Sequence, residues 1–478
     1  MAVPWVGVKP VRLAFVVSKG TAQMKRIVMV FIGMGLIVGG IAGVSAVTYA
    51  AGLGIELAAD KWSWVPHGLH SLTNMLFLML VFVMVIATLL TLAERKWSAL
   101  MQDRIGPNRA RLPIPGLANS DLAGIPHILT DVLKMLTKED FRPTGANAFL
   151  FKLAPMLAFA PAFALFAVVP AGPTILLEGK TLTMVVSNPD FGLLYVFAIA
   201  SLAVYGTSLA GWSSNNKFAL LGGVRAASQM ISYEVALGLS LVGMMMAFST
   251  VQLAGPTGMV ESQAHYLWSG SLAGFDIGLP AWGIFLQPVG FVLFFAAAFA
   301  ETKRAPFDAP EGESEIIGYF VEYSGMKFGL FMISEFVEVV VLSGIIVCIF
   351  LGGWHLPVGG EWLKAFLAGH EFIYATLLAT VFWLKVVFLC YVQLAIRWTF
   401  PRFRYDQIQK LGWQMLLPLG LVNLFITGAL ILVDPSLKAL AAFGLLTVGA
   451  LFALTLTPRS SAQVEHAPGG HAPAGAHH

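Results

Sequence analysis

Charge is what this sequence has least of. Only 12% of its 478 residues are Asp, Glu, Lys or Arg, about half of the roughly 25% usual in a soluble domain. With 57% hydrophobic residues and a mean hydropathy of +0.78, that shortage excludes an ordinary water-soluble globule. Cysteine is nearly absent as well. Cys348 and Cys390 both lie in apolar runs, and two isolated thiols cannot supply the four ligands of an iron–sulfur cluster or of a structural zinc site. They read as small buried hydrophobes. The sequence has no Walker A loop, no dinucleotide-binding glycine motif and no HExxH, and no Ser–His–Asp arrangement can be argued from spacing. The chain is expected to bind no nucleotide, nucleic acid or metal, and to hold no redox centre of its own.

What is present is a series of long apolar segments, at about 27–48, 72–93, 149–170, 190–210, 228–250, 282–300, 327–351, 372–396, 412–433 and 437–457. Each is close to the ~20 residues needed to cross a hydrocarbon core of about 30 Å. A transmembrane barrel would show short alternating segments instead. The expected fold is therefore all-α, a polytopic transmembrane helical bundle. Of the 29 Lys and Arg, 24 fall on the side that holds the N-terminus and the connections 94–148, 211–227, 301–326, 397–411 and 458–478, with the boundary residues Lys152 and Lys327 counted with their nearest connection. The other side holds only Lys61, Lys180, Lys364 and Lys438, and Lys385 lies within a span. The positive-inside rule assigns the cation-rich side to the cytoplasm.

The first segment, after Lys25 and Arg26, reads as an uncleaved span or as a signal peptide; Gly35, Gly39 and Gly43 repeat at the spacing of close helix packing in membranes. Between Asp121 and Lys138, Leu122, Ile125, Ile128, Leu129, Val132, Leu133 and Leu136 fall on one helical face, which predicts a helix on the membrane surface; an ordinary helix packed on other protein has the same pattern. The tail 458–478, with His466, His471, His477 and His478, is expected to be disordered.

Ionisable residues also occur at membrane depth: Glu234 in SYEVALGLS, Glu335 and Glu338 in ISEFVEVVVL, and Lys385. A charge at a helix centre costs roughly 2.5–3.5 kcal/mol, so these groups must be neutral, paired or hydrated. They suit a proton path, or structural ion pairs such as Glu335 with Lys385. The loop ETKRAPFDAPEGESEIIGYFVEYSG holds six of the chain's 26 acids: Glu301, Asp308, Glu311, Glu313, Glu315 and Glu322. Acids at a helix start complement its dipole, but this loop also mixes in Arg304, Phe307, Ile316, Ile317 and Phe320, as a folded insert would.

The motifs AERKWSALMQDRIGPNR, KMLTKED, AGWSSNNKFALLGGVRAASQMISYE, ETKRAPFDAPEGESE with VEYSGMKFGLF, and RFRYDQIQKLGW together resemble one family. It comprises the quinone-chamber membrane subunits of respiratory complex I, the H subunits of NADH-quinone oxidoreductase. The resemblance spans about 72–433 and implies an eight-span core with cytoplasmic quinone-cavity loops. It leaves one extra span in 1–71, another in 434–457, and the tail 458–478. It implies quinone as substrate, flavin and iron–sulfur clusters held by partner subunits, and a bacterial-type inner-membrane location. The implied partners are the peripheral-arm quinone-site subunits, the small and antiporter-like membrane subunits, and lipid.

Carried over by motif, Arg95, Arg104, Arg225 and Arg304 match cavity-side arginines. Glu301, Asp308, Glu311, Glu313, Glu315 and Glu322 match the acidic loop, and Glu234 and Glu335 match buried carboxylates of a proton relay. Glu301 and Lys385 are taken with Glu234 and Glu335 as candidate catalytic groups. Glu338 is not a position that the resemblance implies. The ARLPIPGLANSDLAG stretch is longer than the resemblance leads one to expect. A related subunit of an energy-converting hydrogenase or of a dehydrogenase with another donor is the alternative, and the GPN, EGESE and EYSG motifs together favour the quinone enzyme. A free-standing ion transporter, or an inert anchor between arm and membrane, are the other classes compatible with so apolar a chain.

Overall fold

The computed structural model describes residues 11–62, 69–110, 124–272, 275–312 and 316–456. Nine of the ten apolar segments each fall on one helix. In chain order the helices are α1 (Val11–Lys61), α2 (His70–Met101), α3 (Pro126–Thr137), α4 (Ala148–Val168), α5 (Gly192–Ser213), α6 (Lys217–Phe248), α7 (Pro288–Glu301), α8 (Gly325–Phe350), α9 (Gly360–Phe366), α10 (Glu371–Thr399), α11 (Tyr405–Val433) and α12 (Lys438–Leu456). Eight are long and apolar enough to cross a membrane, and α7 and α12 are shorter apolar helices. Local signals set several ends. The Asn147 side chain caps α4 by accepting from the backbone of Phe149 and Leu150, and Asn216 caps α6 by accepting from Phe218, each meeting an otherwise orphaned donor.

The sixth apolar segment is not one helix. A single turn, Gly283–Leu286, precedes α7, and the chain breaks at Gln287 (φ −139°, ψ 68°). Pro288 lacks the N–H needed to continue the ladder. The buried Gln287 amide is held within the bundle, its Nε2 donating to Thr427 Oγ1 at 2.8 Å.

Helix α8 is the central pillar. Fully 94% of its apolar window is buried, against α4, α2 and α10. A helix buried all round must find partners for its polar groups inside the protein, since none can face water. Close packing elsewhere depends on small residues: a Cβ at Gly206 of α5 would sit 2.5 Å from the Ala158 backbone nitrogen of α4. Trp383 of α10 stacks on Phe82 of α2 with ring centroids 4.4 Å apart.

The connections sort to two ends. At the cation-rich end, Arg95 bonds Asp131 (2.5 Å), Lys327 bonds Asp140 (2.7 Å) and Asn216 bonds Glu322 (2.7 Å). At the opposite end lie two antiparallel hairpins, β1 (Ile175–Leu177) with β2 (Lys180–Leu182) and β3 (Tyr266–Leu272) with β4 (Phe275–Pro280). There Asn74 Nδ2 donates to the carbonyls of Thr183 and Val185, and Lys180 bonds Asp60.

Two expectations about surfaces meet different outcomes. In α3 one apolar edge is open, with Ile125, Leu129, Leu133 and Leu136 all exposed, while Met135 lies beneath Gly325 and Gly329 of α8. That fits a helix on a bilayer surface. Among the described residues the Gly35, Gly39 and Gly43 stripe packs on nothing: a Cβ at any of the three would meet no described atom within 4 Å. The buried side of α1 is the opposite one, where the Tyr49 hydroxyl donates to the Pro173 carbonyl (2.7 Å) and Glu56 pairs with His70 (2.8 Å). The His-containing tail lies outside the described residues.

Candidate functional site

The loop after α7 folds back beneath the bundle. Gln229 of α6 donates to the carbonyls of Ala300 and Phe307, both at 2.8 Å, and the Phe403 backbone N–H donates to the Pro306 carbonyl. These bonds place Lys303 and Arg304 against the middle turns of α8. Glu335 and Glu338, three residues apart, share one face of that helix. Arg304 stands 3.6 Å from Glu335, and Lys303 stands 3.6 Å from Glu338. Arg304 also bonds Glu94 of α2 at 2.5 Å, and its guanidinium lies 3.9 Å over the Phe336 ring. Glu94 takes a second arginine, Arg397 of α10, at 2.5 Å. Asp308 pairs with Arg402. The Tyr319 hydroxyl donates to Glu335 Oε1 at 3.4 Å.

The electrostatics of the loop follow from this crowding. Burial and then the neighbouring Glu335 push the Glu311 carboxyl well above the usual carboxylate range. The Glu311 carboxyl lies beside that of Glu335, and a proton on Glu311 would let the two hydrogen-bond. Burial likewise raises the Asp308 carboxyl, against the pull of Arg402. Burial alone would lower the Lys303 ammonium, but Glu338, Glu335, Glu311 and Glu301 reverse that and leave it raised. A buried Lys at this place stays charged.

Three cavities run along the cluster. An open one of ≈580 Å³ is lined by Glu94, Arg95, Arg104, Arg109, His127, Arg397 and Trp398 among others. Behind the Glu94–Arg397 pair, a cavity of ≈20 Å³ between α2, α7, α8 and α10 is lined by Leu90, Phe299, Phe336, Leu394, Arg304 and Arg397. Deeper still, a cavity of ≈30 Å³ is lined by Glu234, Glu301 and Glu338 together with apolar residues such as Phe197 and Phe294. That is room for one water. Carboxylates thus continue from Asp308 and Glu311 through Glu335 and Glu338 to Glu301 and Glu234.

Most of the predicted residues converge here. Glu301, Arg304, Asp308, Glu311 and Glu335 lie in the cluster and Glu234 closes its far end. Arg95 and Arg104 line the open cavity, where the Arg104 side chain donates to Gln102. Arg225 stands apart, 5.5 Å from the Tyr405 ring, and Glu322 caps the far side of the loop through Asn216. Glu313 and Glu315 lie outside the described residues.

The proposed Glu335–Lys385 pair is not formed. Lys385 Nζ donates to the carbonyls of Leu351, Gly353 and His355, at 2.8, 2.9 and 2.7 Å, and lies 4.3 Å over the Trp282 ring. It caps the opposite end of α8, about 24 Å along the axis from Glu335 at 1.5 Å per residue. The residues that sequence reasoning passed over are Glu94, Lys303, Tyr319, Arg397 and Arg402. Glu338 belongs to the cluster after all. Among the described residues no three His, Cys, Asp or Glu side chains converge as a metal site.

A family model described as NADH dehydrogenase matches residues 73–428. The chain belongs to that family. It is 41% identical over 360 residues to a protein of Syntrophobacter fumaroxidans named as an H subunit of NADH-quinone oxidoreductase, covering 75% of this chain and 95% of the relative. It is 42% identical over 347 residues to an H subunit of the same enzyme from Geobacter metallireducens, covering 72% and 92%. Against the H subunit from Flavobacterium johnsoniae the figures are 40% over 351 residues, 73% and 91%. The family match takes in α2 to most of α11, and so every residue of the cluster. Helices α1 and α12 lie outside it.

Proposed function

We propose that this chain is the quinone-channel membrane subunit of a proton-translocating NADH–quinone oxidoreductase in a bacterial inner membrane. The names of its relatives and its multi-span architecture support membership of such a complex. The finer reading rests on one observation: the open basic cavity, the Glu94–Arg304–Glu335 bridge and the water-sized cavity at Glu234, Glu301 and Glu338 form one continuous line. A hydrophobic quinone would enter beside α2 and α3 and present its head group to partner subunits at the cation-rich end. Electrons would reach it from flavin and iron–sulfur clusters in those partners, and this chain supplies no redox step. Reduction of the quinone consumes protons and changes the charge next to the loop. Arg304, shared between Glu94 and Glu335, would carry that change to α8. A proton would then leave Glu335 or the Glu311–Glu335 pair and be replaced along the carboxylate line.

The direct test is to tag this chain in its own host, purify it from membranes, and assay the product in proteoliposomes. A large complex that reduces quinone with NADH and acidifies one compartment in step is the expected result. A chain that purifies alone, or a complex whose quinone reduction moves no protons, would refute the reading.

A further inference from the structure

Glu338 is not a position that the family resemblance implies, yet it sits where the loop acids meet the membrane cavity. Its side chain is 6% exposed, and that of its partner Lys303 is 2% exposed. Lys303 reaches it from the loop at 3.6 Å, an ion pair without a formed hydrogen bond, and Glu338 Oε2 has no hydrogen-bond partner among the described residues. The other charged groups facing Glu338 are Glu335 on its own helix, Arg304 from the loop, and Glu301 of α7 and Glu234 of α6 across the cavity. The Lys303 backbone is left-handed (φ 55°), a turn rare for a side-chain-bearing residue, and it lets two adjacent cations serve two carboxylates one turn apart. Lys303 differs from Lys385 in this respect. Lys385 is locked by three hydrogen bonds, whereas Lys303 is held by the pull of several carboxylates.

We propose that Lys303 and Glu338 form an added step in this chain's carboxylate line: Lys303 holds Glu338 ionised at the cavity wall, and displacement of Lys303 toward Glu311 and Glu335 lets Glu338 accept a proton from Glu301. The trigger is loss of a proton from Glu311, which places a further negative charge beside Lys303. The O–H bond of Glu301 breaks, a cavity water carries the proton, and an O–H bond forms on Glu338. No electron moves, and Glu301 is left as a carboxylate facing Glu234. Lys303 is a positioning residue in this step, since it gives up no proton. The step rests on the proposed function above and goes beyond it.

The experiment is a double-mutant cycle in the whole complex. Lys303→Met, Glu338→Gln, the double variant and Lys303→Arg are purified as assembled complexes. Each is assayed for NADH–quinone turnover and protons moved per electron. Each of the first two is expected to lose about a hundredfold or more in turnover, on the scale of a lost acid–base group. The double variant should be no worse than the poorer single, because the two residues act as one unit. Lys303→Arg should restore most of the loss. If Lys303→Met fails to assemble because it strands a buried charge, the double variant strands none and carries the test. Full turnover and stoichiometry in the double variant, or single losses that multiply, would overturn the step while a coupled wild-type complex keeps the functional reading. An uncoupled wild-type complex would overturn both.

Discussion

Arg304 serves two carboxylates at once. It bonds Glu94 on α2 through one terminal nitrogen and faces Glu335 on α8 with the other, while its plane covers Phe336. A planar fork reaches carboxylates on two helices with two separate nitrogens, whereas the three donors of an ammonium converge on one atom. Arg304→Lys keeps the charge but cannot present a separate nitrogen to each carboxylate. Losing one charge-assisted hydrogen bond, about 1.5–3 kcal/mol, corresponds to roughly ten- to a hundredfold in rate if the bridge is needed in the rate-limiting step. Steady-state turnover of the assembled Arg304→Lys complex is expected to fall within that range. Turnover equal to wild type would show that the bridge plays no part. Sequence reasoning could single out Arg304, because its motif is distinctive. It could not find Lys303 with Glu338, because 35 positions separate them and only the folded-back loop brings them together. Glu94 was passed over for a related reason: an acid at the end of an apolar run looks like an interface residue until its two arginines are seen.

The helices themselves were legible from apolar periodicity and length, but their interruptions and partners were not. Gln287 breaks a segment that reads as a continuous span, although Pro288 was a signal for it. Lys385 looked like a mid-membrane charge in search of a carboxylate. Its partners are backbone carbonyls at the end of α8, and backbone groups leave no mark in a sequence. A cation at a helix C-terminus also complements the negative end of the dipole. Lys385 therefore anchors the outer end of the helix that carries Glu335 and Glu338 on its middle turns. Lys385→Met would leave buried carbonyls without a donor, each costing about 1–3 kcal/mol. Thermal unfolding of the variant complex should come several degrees lower, with turnover per assembled complex close to normal. A variant of unchanged stability that cannot pump would make Lys385 a member of the proton path instead. The extra helix α1 spans about 77 Å at 1.5 Å per residue, well over a bilayer's thickness. It grips the bundle through the side bearing Tyr49 and Glu56.

At the scale of the whole molecule, the sorting of cations by side anticipated which connections meet. The loops grouped by that count are the ones joined by the Arg95–Asp131, Arg304–Glu94, Lys327–Asp140 and Arg402–Asp308 pairs. They enclose the open cavity, and the acid-rich loop leads from it to α8. The central claim is that Glu335 carries a proton along this line. Glu335→Gln tests it most directly. Arg304 keeps Glu94 as a partner in that variant, and the Gln carbonyl can still accept from Tyr319, so the complex should assemble. The measurement is protons translocated per electron, together with NADH–quinone turnover, in proteoliposomes holding the purified variant complex. A relay at Glu335 predicts a normally assembled complex in which turnover and pumping fall together. Full turnover with the full wild-type proton stoichiometry would contradict the account.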